Sequence, residues 1–269
     1  MQATNLSPAV SADRHRAGAF LAMAVAVAVG ATLAGCGASP ASPASTASTG
    51  DGQAAAGVRV LWMGDSIAGA QAPALEAALK AGGVAFKNAT SDGGGNIVAG
   101  DHPVTAMGAR DTWKTLKANL ASFRPTVIAY QITSYDWGAA HQQLSAYQKL
   151  ARTAKDAGAR LVLVSAPPFK IDEFFKPHEN AIKSAPAMAA KAAHASYLDA
   201  SELWGGDYAA KKAQRAKDGI HSCQQGSAAF ANWFAKRLGK LAGFTPAAPS
   251  VWATGPWTGD ERFAKLGCG

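Results

Sequence analysis

Charge is scarce in this sequence. Only 16% of its 269 residues are Asp, Glu, Lys or Arg, against 48% apolar residues. The chain can therefore bury a core, and wholesale disorder is excluded. The basic residues behind the formal charge of +8 are scattered, the densest group being Lys211, Lys212, Arg215 and Lys217. No basic stripe interleaved with aromatics is present, which speaks against nucleic-acid binding. A basic surface facing an anionic cell envelope is the remaining reading. No group of His, Asp and Glu has metal-ligand spacing, so no metal is expected. The run Gly93-Gly94-Gly95 lacks the Gly-Lys-Ser/Thr that would make it a phosphate loop. No internal repeat is visible, and no cofactor is expected.

Cysteine is equally sparse, with three residues, and each has a readable context. Arg14-His15-Arg16 precede an apolar stretch from Ala19 to Leu33 that ends in Leu33-Ala34-Gly35-Cys36. Small residues before a cysteine at that place resemble a lipoprotein signal. The resemblance implies that residues 1–35 are a signal peptide, cut before Cys36, and that the Cys36 thiol is lipidated. An ordinary secretory signal and an uncleaved anchor helix are the competing readings. Residues 36–56 then form a flexible Ala/Ser/Pro spacer with no apolar period. The expected location is the extracytoplasmic face of the cell membrane, held by the lipid. Export to an oxidising compartment predicts a disulfide between Cys223 and Cys268, with two free thiols as the alternative. The chain-entropy argument gives such a bond about 4 kcal/mol. It would pin the tail, residues 243–269, beside His221.

Between spacer and tail, residues 57–242 read as one α/β domain. Strands are predicted over 57–62, 84–87, 126–132, 160–165 and, weakly, 196–198. Helices are predicted over 66–81, 110–123, 139–157 and 225–241, with a mixed helical region over 179–193. Alternation of strand and helix means a parallel sheet of about five strands with helices on both faces, a three-layer α/β/α sandwich. Ligands in such sheets sit beyond the carboxyl ends of the strands. Ser66, the Asn88 loop, Thr133–Trp137, Pro167–His178 and the Asp218 loop can all converge on that rim.

Two motifs carry chemistry. Gly64-Asp65-Ser66 puts a serine on a tight turn leaving the first strand, and Asp218-Gly219-Ile220-His221 puts a carboxylate and an imidazole three residues apart. Nucleophile, base and orienting acid are the minimum set for acyl transfer through a serine. These motifs, in this order, resemble the SGNH/GDSL hydrolases over roughly residues 57 to 241. The resemblance implies a flavodoxin-like sandwich and metal-free ester hydrolysis or acyl transfer. Ser66 matches the nucleophile, His221 the base and Asp218 the acid. Gly93, with Gly94 as runner-up, matches the oxyanion glycine. One block departs from the pattern. Where the family reads Gly-x-Asn-Asp, this chain has Thr133-Ser134-Tyr135-Asp136, so the asparagine donor is replaced by Tyr135. Loss of such a donor costs about 3 to 4 kcal/mol of transition-state stabilisation unless the Tyr135 hydroxyl, the Ser134 hydroxyl or a backbone N–H substitutes.

Asp65 is expected to be a structural turn residue, and Asp101, His102 and His178 to be surface groups on loops near the site. Trp137, Trp252 and Trp257 are either a sugar-stacking platform or ordinary packing. The expected function is an envelope-anchored serine esterase acting on O-acyl, including O-acetyl, esters of envelope glycans or lipids. The alternatives are an O-acyltransferase on envelope glycans and a non-catalytic glycan-binding lipoprotein.

Overall fold

A computed structural model describes residues 57–193 and 196–268. The signal, Cys36 and spacer readings fall outside these residues. Five strands, β1 (Arg59–Met63), β2 (Ala85–Asn88), β3 (Val127–Gln131), β4 (Arg160–Val164) and β5 (Tyr197–Leu198), form one sheet in the order β2-β1-β3-β4-β5. Every pairing is parallel, with Trp62 opposite Asn88, Met63 opposite Tyr130, and Gln131 opposite Val164. Helices α1 (Ser66–Ala81), α2 (Pro103–Ser122), α3 (Ala140–Asp156), α4 (Glu179–Ala193), α5 (Ser201–Trp204) and α6 (Gln224–Ala242) connect and follow the strands.

Alternate strand residues feed two cores because side chains point to opposite faces of a strand. Val60, Trp62, Val127, Ala129, Val162 and Val164 meet Leu75 and Leu79 of α1 and Phe230, Phe234 and Leu238 of α6. Leu61, Met63, Ile128, Tyr130, Leu161 and Leu163 meet Leu116 of α2, Tyr147 and Leu150 of α3, and Ala185 and Ala189 of α4. Covering both faces is why the strands read as nearly continuous apolar runs.

One predicted boundary shifts by more than two residues. Helix α2 begins at Pro103, seven residues before the expected Arg110, with the His102 ring nitrogen accepting from the Val104 amide and Pro103 at the first position. A proline there loses nothing, because its N–H would be unpaired anyway. The tail is not a plain extension. It carries α7 (Pro249–Trp252), a 3-10 turn at Pro256–Gly259 and α8 (Glu261–Lys265), and Trp252 and Phe263 are buried.

Candidate active site

Ser66 is the first residue of α1, at the carboxyl end of β1. Gly64 makes the turn. Its φ is +151°, and a Cβ on it would lie 2.6 Å from the Ala68 Cβ, so a side chain is barred both by backbone geometry and by space. Asp65 caps the helix. One carboxylate oxygen accepts from the Ile67 and Ala68 amides at 2.9 and 3.4 Å. The other accepts from the Ser134 amide at 2.7 Å and the Ser134 hydroxyl at 2.8 Å. Burial pushes the Asp65 carboxyl above the ordinary range despite these four bonds. Asp65 is thus a structural residue, as its turn position implied, and it also ties the nucleophile turn to the β3 exit loop.

His221 reaches Ser66 from the loop before α6. Its Nε2 lies 2.9 Å from Ser66 Oγ, and its Nδ1 lies 2.6 Å from Asp218 Oδ2. With the Nδ1 proton donated to the carboxylate, Nε2 is left to accept from the serine hydroxyl. The other Asp218 oxygen accepts from the Ile220 and His221 amides at 2.8 and 3.0 Å. Burial pushes the Asp218 carboxyl up, but the His221 ring and these amides outweigh it and hold the group below the ordinary carboxylate range. Asp218 therefore stays ionised and keeps the imidazole in one tautomer.

The stabilising half of the site is arranged differently from expectation. Ser134 is not a free donor, since both its amide and its hydroxyl are committed to Asp65. The Tyr135 hydroxyl makes no hydrogen bond among the described residues. Burial, then the charges of Asp65 and Asp172, raise its phenol above the ordinary value, so it stays protonated and able to donate. Gly93 is exposed, with nothing within 4 Å of where a Cβ would sit, and Gly94 is buried but touches only Ser91 and Gly108. Gly95 is the glycine against the nucleophile turn. A Cβ there would lie 2.0 Å from the Gly64 carbonyl oxygen and 2.9 Å from the Asp65 amide nitrogen.

Three further groups hold these loops, and two of them, Asp136 and Arg215, were not singled out by their sequence positions. Buried Asp136 accepts from Tyr130 and Tyr147 hydroxyls at 2.8 and 3.0 Å, and from the Thr133, Ile97 and Val98 amides. It joins the exits of β2 and β3, and burial pushes its carboxyl up to about 6. Arg215, which reads as part of a surface charge group, lies behind the histidine loop. It donates to the Ala213 and Ile220 carbonyls at 2.9 and 3.1 Å, and its guanidinium rests 4.7 Å from the centre of the Trp204 ring. Burial pulls it down to about 10. The third is the Cys223–Cys268 disulfide, which forms as expected, with a Cα separation of 5.6 Å.

The tryptophans do not make one platform. Trp252 packs with the tail against α1 and α6, and Trp257 beside it. Trp137 is buried, with His178 stacked on it at 3.6 Å and His102 edge-on at 5.6 Å. Burial, then the neighbouring His102, lowers the His178 imidazole below its ordinary value. Phe174 is half exposed and meets Tyr135 edgewise and Trp137 at a tilt. Among the described residues, Asp101 only accepts a long bond from Gln142.

A parallel sheet with a Ser-His-Asp relay at its carboxyl edge is the geometry of an α/β serine hydrolase. The family profile described as "SGNH domain (fused to AT3 domains)" matches residues 35–223. Solved structures share the fold. A GDSL-like lipase from Bacteroides thetaiotaomicron is 15% identical with a TM-score of 0.51, over 68% of this chain and 88% of its own. A carbohydrate acetylesterase family member from Sinorhizobium meliloti is 14% identical with a TM-score of 0.52, over 70% and 100%. A structure described as a possible arylesterase from Agrobacterium tumefaciens is 20% identical with a TM-score of 0.50, over 68% and 99%. No curated protein matches the chain. The chain belongs to the SGNH/GDSL hydrolase family, as a GDSL-type ester hydrolase.

Proposed function

We propose that the protein is an envelope-anchored serine esterase that removes O-acyl groups, acetyl among them, from envelope glycans or lipids. The unbroken hydrogen-bonded chain from Ser66 through His221 to Asp218 carries this reading. His221 takes the Ser66 proton as Oγ attacks the ester carbonyl, and Asp218 stabilises the imidazolium that results. The Ser66 amide and an amide of the Gly93–Gly95 run hold the oxyanion, with the Tyr135 hydroxyl in place of the family's asparagine. His221 then protonates the leaving alcohol, and water resolves the acyl-enzyme. The carbohydrate acetylesterase neighbour agrees with a glycan ester as substrate. The lipobox-like sequence at Cys36 motivates the anchor.

A serine-directed fluorophosphonate and p-nitrophenyl acetate test the proposal on the purified domain. Wild type is expected to label and to turn over. Ser66→Ala should do neither, with hydrolysis down by at least a thousandfold. An unlabelled, inactive wild type would leave a glycan-binding lipoprotein as the reading.

A second reading has specific support, because the family profile describes domains fused to AT3 domains. A sugar hydroxyl in place of water would make the same acyl-enzyme an O-acyltransferase. Product analysis with and without a glycan acceptor separates the two.

A further inference from the structure

The family match ends at Cys223, yet the segment beyond α6 touches both halves of the site. At one end Cys268 is bonded to Cys223, two residues past His221, and Gln224 donates to the Thr258 carbonyl at 3.1 Å. At the other end Arg262 of α8 forms an ion pair with Asp92 at 3.0 Å, in the loop that leads into the glycine run. The same guanidinium lies over the first turn of α1. A Cβ on Gly69 would sit 2.8 Å from Arg262 Nη1 and 3.3 Å from Thr90 Oγ1. Gly69 in turn donates to the Asp65 carbonyl. Between the two ends the strap is a folded unit. Asp260 caps α8 through the Arg262 amide, the Cys268 amide donates to the Phe263 carbonyl, and the buried Phe263 ring meets Trp257 edge-on at 6.0 Å.

We propose that residues Pro249 to Cys268 position the active site, and that Arg262 and the Cys223–Cys268 bond are its two anchor points. The inference rests on the esterase reading for its catalytic consequence. Helix α8 carries the Arg262 anchor and leads directly to Cys268, the other. It sets the Asp218–His221 loop against the nucleophile turn and the β2 exit loop, which come from opposite ends of the domain's sequence. The 2.9 Å contact between Ser66 and His221 depends on that placement. A segment that only covered apolar surface would need Trp252 and Phe263, but neither a guanidinium on Asp92 nor a bond beside His221.

The test compares wild type with Cys268→Ser, Arg262→Ala and Arg262→Lys, at a temperature well below unfolding of each. Cys268→Ser is expected to lower kcat on the order of tenfold with KM nearly unchanged, short of the roughly hundredfold penalty of a 1 Å misplacement. Arg262→Ala should lower kcat by up to about fivefold, as fits a partly exposed pair, and Arg262→Lys should restore most of it. Amide hydrogen exchange is measured on the same proteins. It should quicken at 91–96 in the Arg262→Ala protein and at 220–222 in the Cys268→Ser protein. Variants that unfold more easily but keep wild-type kcat and exchange at these loops would overturn the proposal. If wild type itself shows no Ser66-dependent hydrolysis, the esterase reading fails, and exchange alone still decides whether the strap holds the loops.

Discussion

Two buried aspartates organise the mouth of the sheet, and they do so with opposite sequence visibility. Asp65 sits inside a motif, so its turn role is legible from Gly64-Asp65-Ser66 alone. Its second task, binding Ser134, is not, because the acceptor opposite a serine 69 residues away is decided by tertiary packing. The same fact removes Ser134 from the oxyanion donors. Asp136 has a measurable signature. Its carboxyl holds a proton to about 6 in the folded chain, against 3.8 for the ordinary group. Between those values the folded state carries the extra proton, so the stability it brings is full below the ordinary value and is lost as pH rises through about 6. Urea unfolding of wild type and Asp136→Asn from pH 4 to 7 checks this. The stability of wild type relative to the variant should fall by about 2 kcal/mol across that range. A flat difference would show that burial does not control this group.

At the scale of elements, the helix–strand alternation and the two chemical motifs were legible because period and turn residues encode them locally. Helix α4 falls on its predicted span and α1 likewise. The first turns of α2 were missed because Thr105 to Gly108 present no apolar stripe, although Pro103 offered a start signal. The tail helices are short and held by contacts with α1 and by the disulfide, so no local period announces them. The glycine run is the sharpest case, since sequence alignment by motif points to Gly93 and packing points to Gly95. Substitution separates them. Gly93→Ala, at φ +73° with nothing nearby, should cost only about 1 to 2 kcal/mol for the left-handed backbone. Gly95→Ala meets the Gly64 carbonyl as well. It should cost clearly more in chemical denaturation and depress hydrolysis with it. Equal costs would mean that Gly95 does not bear on the nucleophile turn.

For the whole molecule, the five-stranded parallel sandwich brings serine and histidine, 155 residues apart, to one edge. That much of the architecture followed from element order. What followed from composition was narrower: a basic chain with no aromatic-interleaved basic stripe. The proposed anchor has its own experiment. Cys36→Ser is expected to abolish labelling by a fatty-acid analogue and to shift the protein from the membrane to the soluble fraction. Continued sedimentation with membranes would point to an uncleaved helix instead. The disulfide of the strap has a consequence in time. On the proposed export the chain crosses from its amino end, so Ser66 is delivered first, His221 much later, and Cys268 after every other residue of the site, 45 positions beyond Cys223. A partly delivered chain can hold all three residues of the relay and still lack the bond that fastens them. On the export proposed above, maturation of the enzyme waits for oxidation of its final cysteine, and the site is completed only on the far side of the membrane.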